Sequence, residues 1–123
     1  MSITYINKTT GTTGKITTFI QNLDSTTVSP LSLGMVQAGQ LVLTTEIEVS
    51  TPFNGTASQM SVSIGTASNH NLLIADVATD LSVVDTYTNE SNYMFDSTDE
   101  VFVYFDTAGS TAGLATISIT LSQ

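Results

Sequence analysis

Between Leu41 and Ser50 the side chains alternate with a period of two. Leu41, Leu43, Thr45, Ile47 and Val49 share one face, and Val42, Thr44, Glu46, Glu48 and Ser50 share the other. A helix would scatter these residues around its axis, whereas a half-buried strand sorts them into an inner and an outer side. The same period returns in Met60, Val62 and Ile64, in Val101, Val103 and Phe105, and in Ala115, Ile117, Ile119 and Leu121. Composition supports strands. Only 11% of residues are charged, against about 25% in an ordinary globular chain. Their place is taken by 22 Thr and 15 Ser. Thr is β-branched and suits a pleated, half-wet surface, whereas Lys and Glu favour helices. A chain of 123 residues is long enough for one domain with its own core. It has no cysteine, so disulfides and thiolate metal sites are excluded.

The punctuation predicts the organisation. Ile3 and Tyr5, then Ile16, Thr18 and Ile20, suggest two short strands around a Thr/Gly loop at 9–14. Residues 24–40 contain Pro30 and mix small polar with apolar residues, which reads as an extended linker. Residues 1–38 therefore read as an N-terminal arm, or as extra strands with a linker, and residues 39–123 as the β-sandwich domain. Pro52-Phe53-Asn54-Gly55 predicts a tight turn, making 41–64 a hairpin. Residues 72–77 suit a buried strand or a short helical turn, and Val83-Val84 a short strand. Residues 106–113 predict a second hairpin turn before the final strand. Six to eight short strands make the chain all-β: an antiparallel β-sandwich or jelly-roll with an extended N-terminal arm.

Charge excludes whole classes of partner. The net charge is −9, and Lys8 and Lys15 are the only cations. Residues 39–123 carry ten carboxylates and no cation. Such a body repels nucleic acid and anionic membranes, so neither is expected as a partner. No signal-peptide pattern or 18-residue apolar run occurs, which predicts synthesis in a cytoplasm.

No constellation calls for catalysis. His70 is the single histidine and no Gly-x-Ser-x-Gly elbow is present, so it reads as a solvated loop residue. Asp96, Asp99 and Glu100 form an acidic turn without the spacing of a calcium loop. Asp76 and Asp80 read as ordinary surface carboxylates, and residues 109–113 lack the Lys of a phosphate loop. The expectation is a non-enzyme with no catalytic residue, no cofactor and no metal. Phe102 and Tyr104 alternate with Val101, Val103 and Phe105, so that strand is apolar on both faces. That marks a central strand buried on both sides, or one whose outer face meets a partner.

Several stretches together resemble a β-sandwich module of tailed-bacteriophage virion proteins. They are residues 46–55 ending in Thr51-Pro52-Phe53-Asn54-Gly55, then Ser61-Val62-Ser63-Ile64-Gly65, Leu72-Leu73 with Asp76-Val77, and the closing 111–119. The resemblance covers roughly residues 41–121. Members of that group include capsid decoration (cement) proteins, head fibres and tail adhesins. It implies self-assembly, often as trimers, and attachment to a virion, and it carries over no catalytic residue.

The resulting expectation is a capsid decoration protein. It would be made in the host cytoplasm and bind the outer surface of the assembled capsid, with the major capsid protein and further copies of itself as partners. The alternative is a tail or head-fibre component that binds a host surface receptor. The candidate contact residues are the apolar side chains placed outside the sandwich pattern. They are Ile3, Tyr5, Ile16, Phe19, Leu31, Leu33, Met35 and Val36, with Phe102 and Tyr104 on the body.

Overall fold

The computed structural model describes residues 16–122. Ile3 and Tyr5 lie outside the described residues. Eight strands follow one another: β1 (Ile16–Asp24), β2 (Leu31–Val36), β3 (Leu41–Thr51), β4 (Ser61–Gly65), β5 (Asp85–Asn89), β6 (Tyr93–Met94), β7 (Asp99–Asp106) and β8 (Leu114–Ser122). One sheet has the order β1-β8-β3-β5, and β6 pairs with the start of β3. The other has the order β2-β7-β4, extended by a single bridge from Ile64 to Ile74. Every strand pair is antiparallel. The molecule is therefore an all-β sandwich of two antiparallel sheets.

The period-two pattern explains the layering. Val42, Ile47, Val49, Ala115, Ile117, Ile119 and Leu121 turn inward from the first sheet, and Val62, Ile64, Val101 and Val103 from the second. All are buried to within 1% of complete exclusion. Val42 departs from the simple alternation. The β3–β8 register shifts between Val42 and Thr44. This bulge turns Val42 into the core and leaves Leu41 and Leu43 half-buried, because one extra residue reverses the side to which the preceding side chains point.

Residues 16–38 supply one edge strand to each sheet. β1 pairs with β8 along its whole length, and β2 pairs with β7. Leu23, Leu33 and Val36 are core residues. Removing 1–38 would thus strip both edges and open the core, so it is not the clean removal of an arm.

Two connections differ from the hairpins expected at 52–55 and 106–113. β3 and β4 lie in different sheets, as do β7 and β8. Both connections cross between layers at the same end of the sandwich. The reason is that each flanking strand has a fully apolar inner face, which buries most area by stacking face to face across the core. The two crossings are tied to each other. Asn54 accepts hydrogen bonds from the Thr111 N–H (2.8 Å) and the Ala112 N–H (3.3 Å). Ser110 Oγ accepts from the Gly55 N–H at 2.7 Å and donates to the Thr107 carbonyl at 2.6 Å. Gly113, at φ +140°, packs so closely on the Phe53 ring that a β-carbon has no room. The Asn-Gly turn signal thus marks a loop clamp. Residues 72–77 resolve into the Ile74 bridge followed by a 3-10 turn at Asp76–Ala78. Val83 and Val84 precede β5 as exposed residues.

Candidate functional site

The outer faces of the two sheets are chemically unlike. On the five-stranded sheet, cross-strand pairs set hydroxyls side by side at Thr18 with Thr120 and Thr44 with Thr120, while Ser118 lies opposite Ile20 and Thr116 opposite Asn22. Glu46 and Glu48 stand between them, beside Thr88 and Thr86 of β5. Apolar side chains lie at its margins, with Ile16 and Ile20 on β1 and Leu114 at the start of β8.

On the three-stranded sheet, Val101 and Val103 point inward, so Glu100, Phe102 and Tyr104 point outward by the alternation of the strand. Met35 of β2 lies opposite Glu100, and Ser32 opposite Phe102. The Ser32 hydroxyl donates to Glu100 at 2.5 Å. Phe102 and Tyr104 meet at 5.8 Å in a tilted arrangement. His70 lies flat on Tyr104, with ring centroids 3.6 Å apart and planes within 8°.

The loop that delivers His70 follows from local chemistry. Gly65 pairs with Phe102 at the end of β4. A β-carbon there would collide with the backbone of Asn69 and His70, so only glycine lets the chain fold back over its own strand. Thr66 and Asn69 close the reversal through mutual backbone hydrogen bonds of 2.9 and 3.2 Å. The Asn69 side chain accepts from the Asn71 N–H, and the Asn71 side chain from the Asp76 N–H, both at 3.1 Å. Beside the ring stack is a hollow of about 310 Å³ bordered by Ser61, Ser63, His70, Asp76, Tyr104 and Asp106. Burial, reinforced by the Asp99 and Glu100 carboxylates, pushes the Tyr104 phenol above its ordinary range. Tyr104 is therefore a neutral hydrogen-bonding group at any physiological pH.

This arrangement suits binding. Among the described residues, no hydrogen bond joins His70 to a serine hydroxyl or a carboxylate. No three His, Asp or Glu side chains among them are placed to hold a metal ion. The face offers an aromatic centre, a thioether, hydroxyls and surrounding carboxylates.

Of the ten expected contact residues, the structure brings Met35, Phe102 and Tyr104 together on this face. Leu33 and Val36 are core side chains, which corrects their placement as surface anchors. The register shift between Ser32 and Gly34 lets both point inward from β2 although they are three residues apart, and packing uses them fully. Leu31 is half-buried opposite Val103, and Phe19 is half-buried against Gly34. Ile16 is exposed on the other sheet. His70 belongs to the site although the sequence places it only in a polar loop. Gly65 immediately before that loop is the one signal of a close reversal.

No family model matches the chain, and no curated protein matches it. Two solved structures share its fold. A chain in the acidic stable capsid structure of Helicobacter pylori bacteriophage KHP30 aligns with a TM-score of 0.65 at 15% identity, over 90% of this chain and 94% of that one. A chain in the cyanophage Pam1 capsid asymmetric unit aligns with a TM-score of 0.69 at 12% identity, over 94% of this chain and 90% of that one. At these identities the likeness is one of fold.

Proposed function

We propose that this protein is a phage capsid decoration (cement) protein, non-enzymatic, which binds the outer surface of the assembled capsid and stabilises it. The observation that carries the reading is the two-way coverage of the structural likeness. Nine-tenths or more of each chain is matched, so the likeness runs through nearly all of this sequence and nearly all of each chain from those capsid structures. The strand order, in which consecutive strands switch sheets everywhere except from β5 to β6, fits a jelly-roll within that reading. The docking face is the outer side of β2-β7-β4. Phe102, Tyr104 and His70 form its centre, and Met35 extends it along β2. Aromatic rings surrounded by polar groups are the usual energetic centre of a protein interface. The partner is the major capsid protein.

Binding that requires neighbouring subunits of a shell favours the assembled state by mass action. A homotrimer that engages several sites at once gains further affinity from effective concentration. The acidic body keeps the free protein soluble until it finds a shell. Localisation follows: made in the host cytoplasm, retained on the virion surface.

The test is copy number in purified virions, measured on a quantitative gel against the major capsid protein. Hundreds of copies in a simple ratio to the shell protein are expected. A few dozen or fewer would transfer the protein to a tail or fibre, and absence would remove it from the virion.

A further inference from the structure

All eleven carboxylates of the chain lie within residues 16–122, and both cations, Lys8 and Lys15, lie within residues 1–15. The body therefore has no positive side chain of its own with which to neutralise any part of its surface. At the edge of the five-stranded sheet it also presents a seat that no described residue occupies. Among the described residues, β5 pairs with β3 on one side only. Its other side faces a slot of about 400 Å³ lined by Leu73, Ile74, Ala75, Ala78 and Tyr87, and by the polar side of β5 at residues 86, 88 and 89. The Thr86 N–H is met at 2.8 Å by the carboxylate of Asp85 next to it in the chain, a local bond in place of a strand partner. Four of the five residues of β5 are exposed. Val77, between Ala75 and Ala78, is 91% exposed, and Val84, which leads into β5, is 60% exposed. Asp76, Asp80, Asp85 and Glu90 flank the slot along the chain.

We propose that residues 1–15 of one copy add as a strand to the free edge of β5 in a second copy. Three features of the segment fit. Ile3 and Tyr5 alternate with Ser2 and Thr4, so one side can fill the apolar slot while the other joins the hydroxyls of Thr86 and Thr88. Lys8 and Lys15 answer the surrounding carboxylates. Fifteen extended residues reach about 50 Å, enough to leave one sandwich and run along the next.

Direction favours the second copy over the same one. β1 begins at the end of the sheet where β8 finishes, since Ile16 pairs with Ser122. β5 runs toward that same end, since Asp85 pairs with Val49 and Asn89 with Thr45. A segment folding back across its own sheet would lie parallel to β5. Parallel pairing is the weaker kind, and every pair in this body is antiparallel. A neighbouring copy can approach in either direction. Such a head-to-tail exchange can close into a ring. It is independent of attachment to a shell and is tested on the free protein.

Because the chain has no cysteine, disulfide trapping gives a clean readout. Full-length chains carrying Thr4→Cys would be co-expressed with full-length chains carrying Thr88→Cys, then oxidised, with Ser2→Cys and Ile6→Cys covering the neighbouring registers. The expected result is a covalent pair of the two different chains on a non-reducing gel. Its yield should fall about tenfold when Lys8→Glu and Lys15→Glu are added, with circular dichroism unchanged. Two results would overturn the proposal. One is no mixed pair in any register together with a monomer by sedimentation. The other is a link that forms only inside a single chain carrying both cysteines.

Discussion

The two outer faces of this sandwich use the same backbone for opposite ends. On the five-stranded sheet, Thr18, Thr44, Thr116 and Thr120 cover the strands with small hydroxyls. Glu46 and Glu48 add charge, and neighbours bond loosely, as between Thr18 and Thr120 at 3.5 Å. Such a face is stable in water and specifies nothing. On the three-stranded sheet, β2 carries Met35 and β7 carries Phe102 and Tyr104, and a loop is bent back to lay His70 on top. That face required a glycine at one position, where the returning backbone of Asn69 and His70 leaves no room for a β-carbon. The contrast shows where this chain commits its aromatic residues when they are not needed in the core.

The sharpest way to break the comparison is at Gly65. Gly65→Ala should cost about 3 kcal/mol, since the new methyl group meets backbone rather than a movable side chain. It should also separate His70 from Tyr104, visible as a change in the Tyr104 ring resonances. Ser118→Ala on the other face should change stability by less than about 0.5 kcal/mol in chemical denaturation. Equal costs would show that the aromatic face is not specially constructed.

Next in size is attachment. Phe102→Ser combined with Tyr104→Ser should weaken binding to purified undecorated shells about a hundredfold. Thr116→Lys with Thr120→Lys should leave that binding within about twofold. If the lysines abolish binding and the serines do not, the docking face is the hydroxyl one.

Thr45 provides a smaller test inside the core. It is fully buried and its Oγ1 has no hydrogen-bond partner. Thr45→Val keeps the shape and removes the desolvated hydroxyl, so it should stabilise the fold by about 1 kcal/mol in urea titration. A loss of stability there would mean that the hydroxyl does have a partner.

The smallest effects concern pH. Hydrogen bonds from Thr26 and Thr27 hold Asp24 below the usual carboxylate range, and those from Ser82 do the same for Asp80. A depressed native pKa means stability that is present above the usual carboxylate value and lost as pH falls through the depressed one. Asp24→Asn with Asp80→Asn should therefore flatten the acid limb of the stability profile slightly and leave neutral pH almost unchanged. Tyr104 gives the opposite limb. Its raised phenol favours the native state below the usual tyrosine value and ceases to do so at higher pH. Absorbance titration should show a tyrosine step above the ordinary value that Tyr104→Phe removes.

The strands with a regular apolar inner face were legible in the sequence. β3, β4, β7 and β8 each announce themselves by alternation, and so does the all-β class. Which strands pair was not legible. Asn54-Gly55 suits a hairpin turn and a crossing loop equally, and only the partner Thr111, 57 residues away, decides between them. Leu33 and Val36 looked like anchors because Pro30 and Gly34 interrupt the strand pattern around them, and the sheet that buries them comes from β7, far along the chain. For the candidate face, Phe102 and Tyr104 could be named from the surplus of apolar residues on β7. His70 could not, since nothing in a polar loop reveals that it stacks.

The position of β8 bears on how the protein comes into being. It lies between β1 and β3, although β1 begins at residue 16 and β8 ends at residue 122. A nascent chain that has made β1 and β3 holds two strands with no neighbour between them until residues 114–122 leave the ribosome. Contacts of such sequence separation close slowly. Until then the chain depends on its carboxylates, all eleven of which precede residue 114, to avoid joining a copy on the next ribosome. The acidity of the finished body would thus also guard the unfinished one.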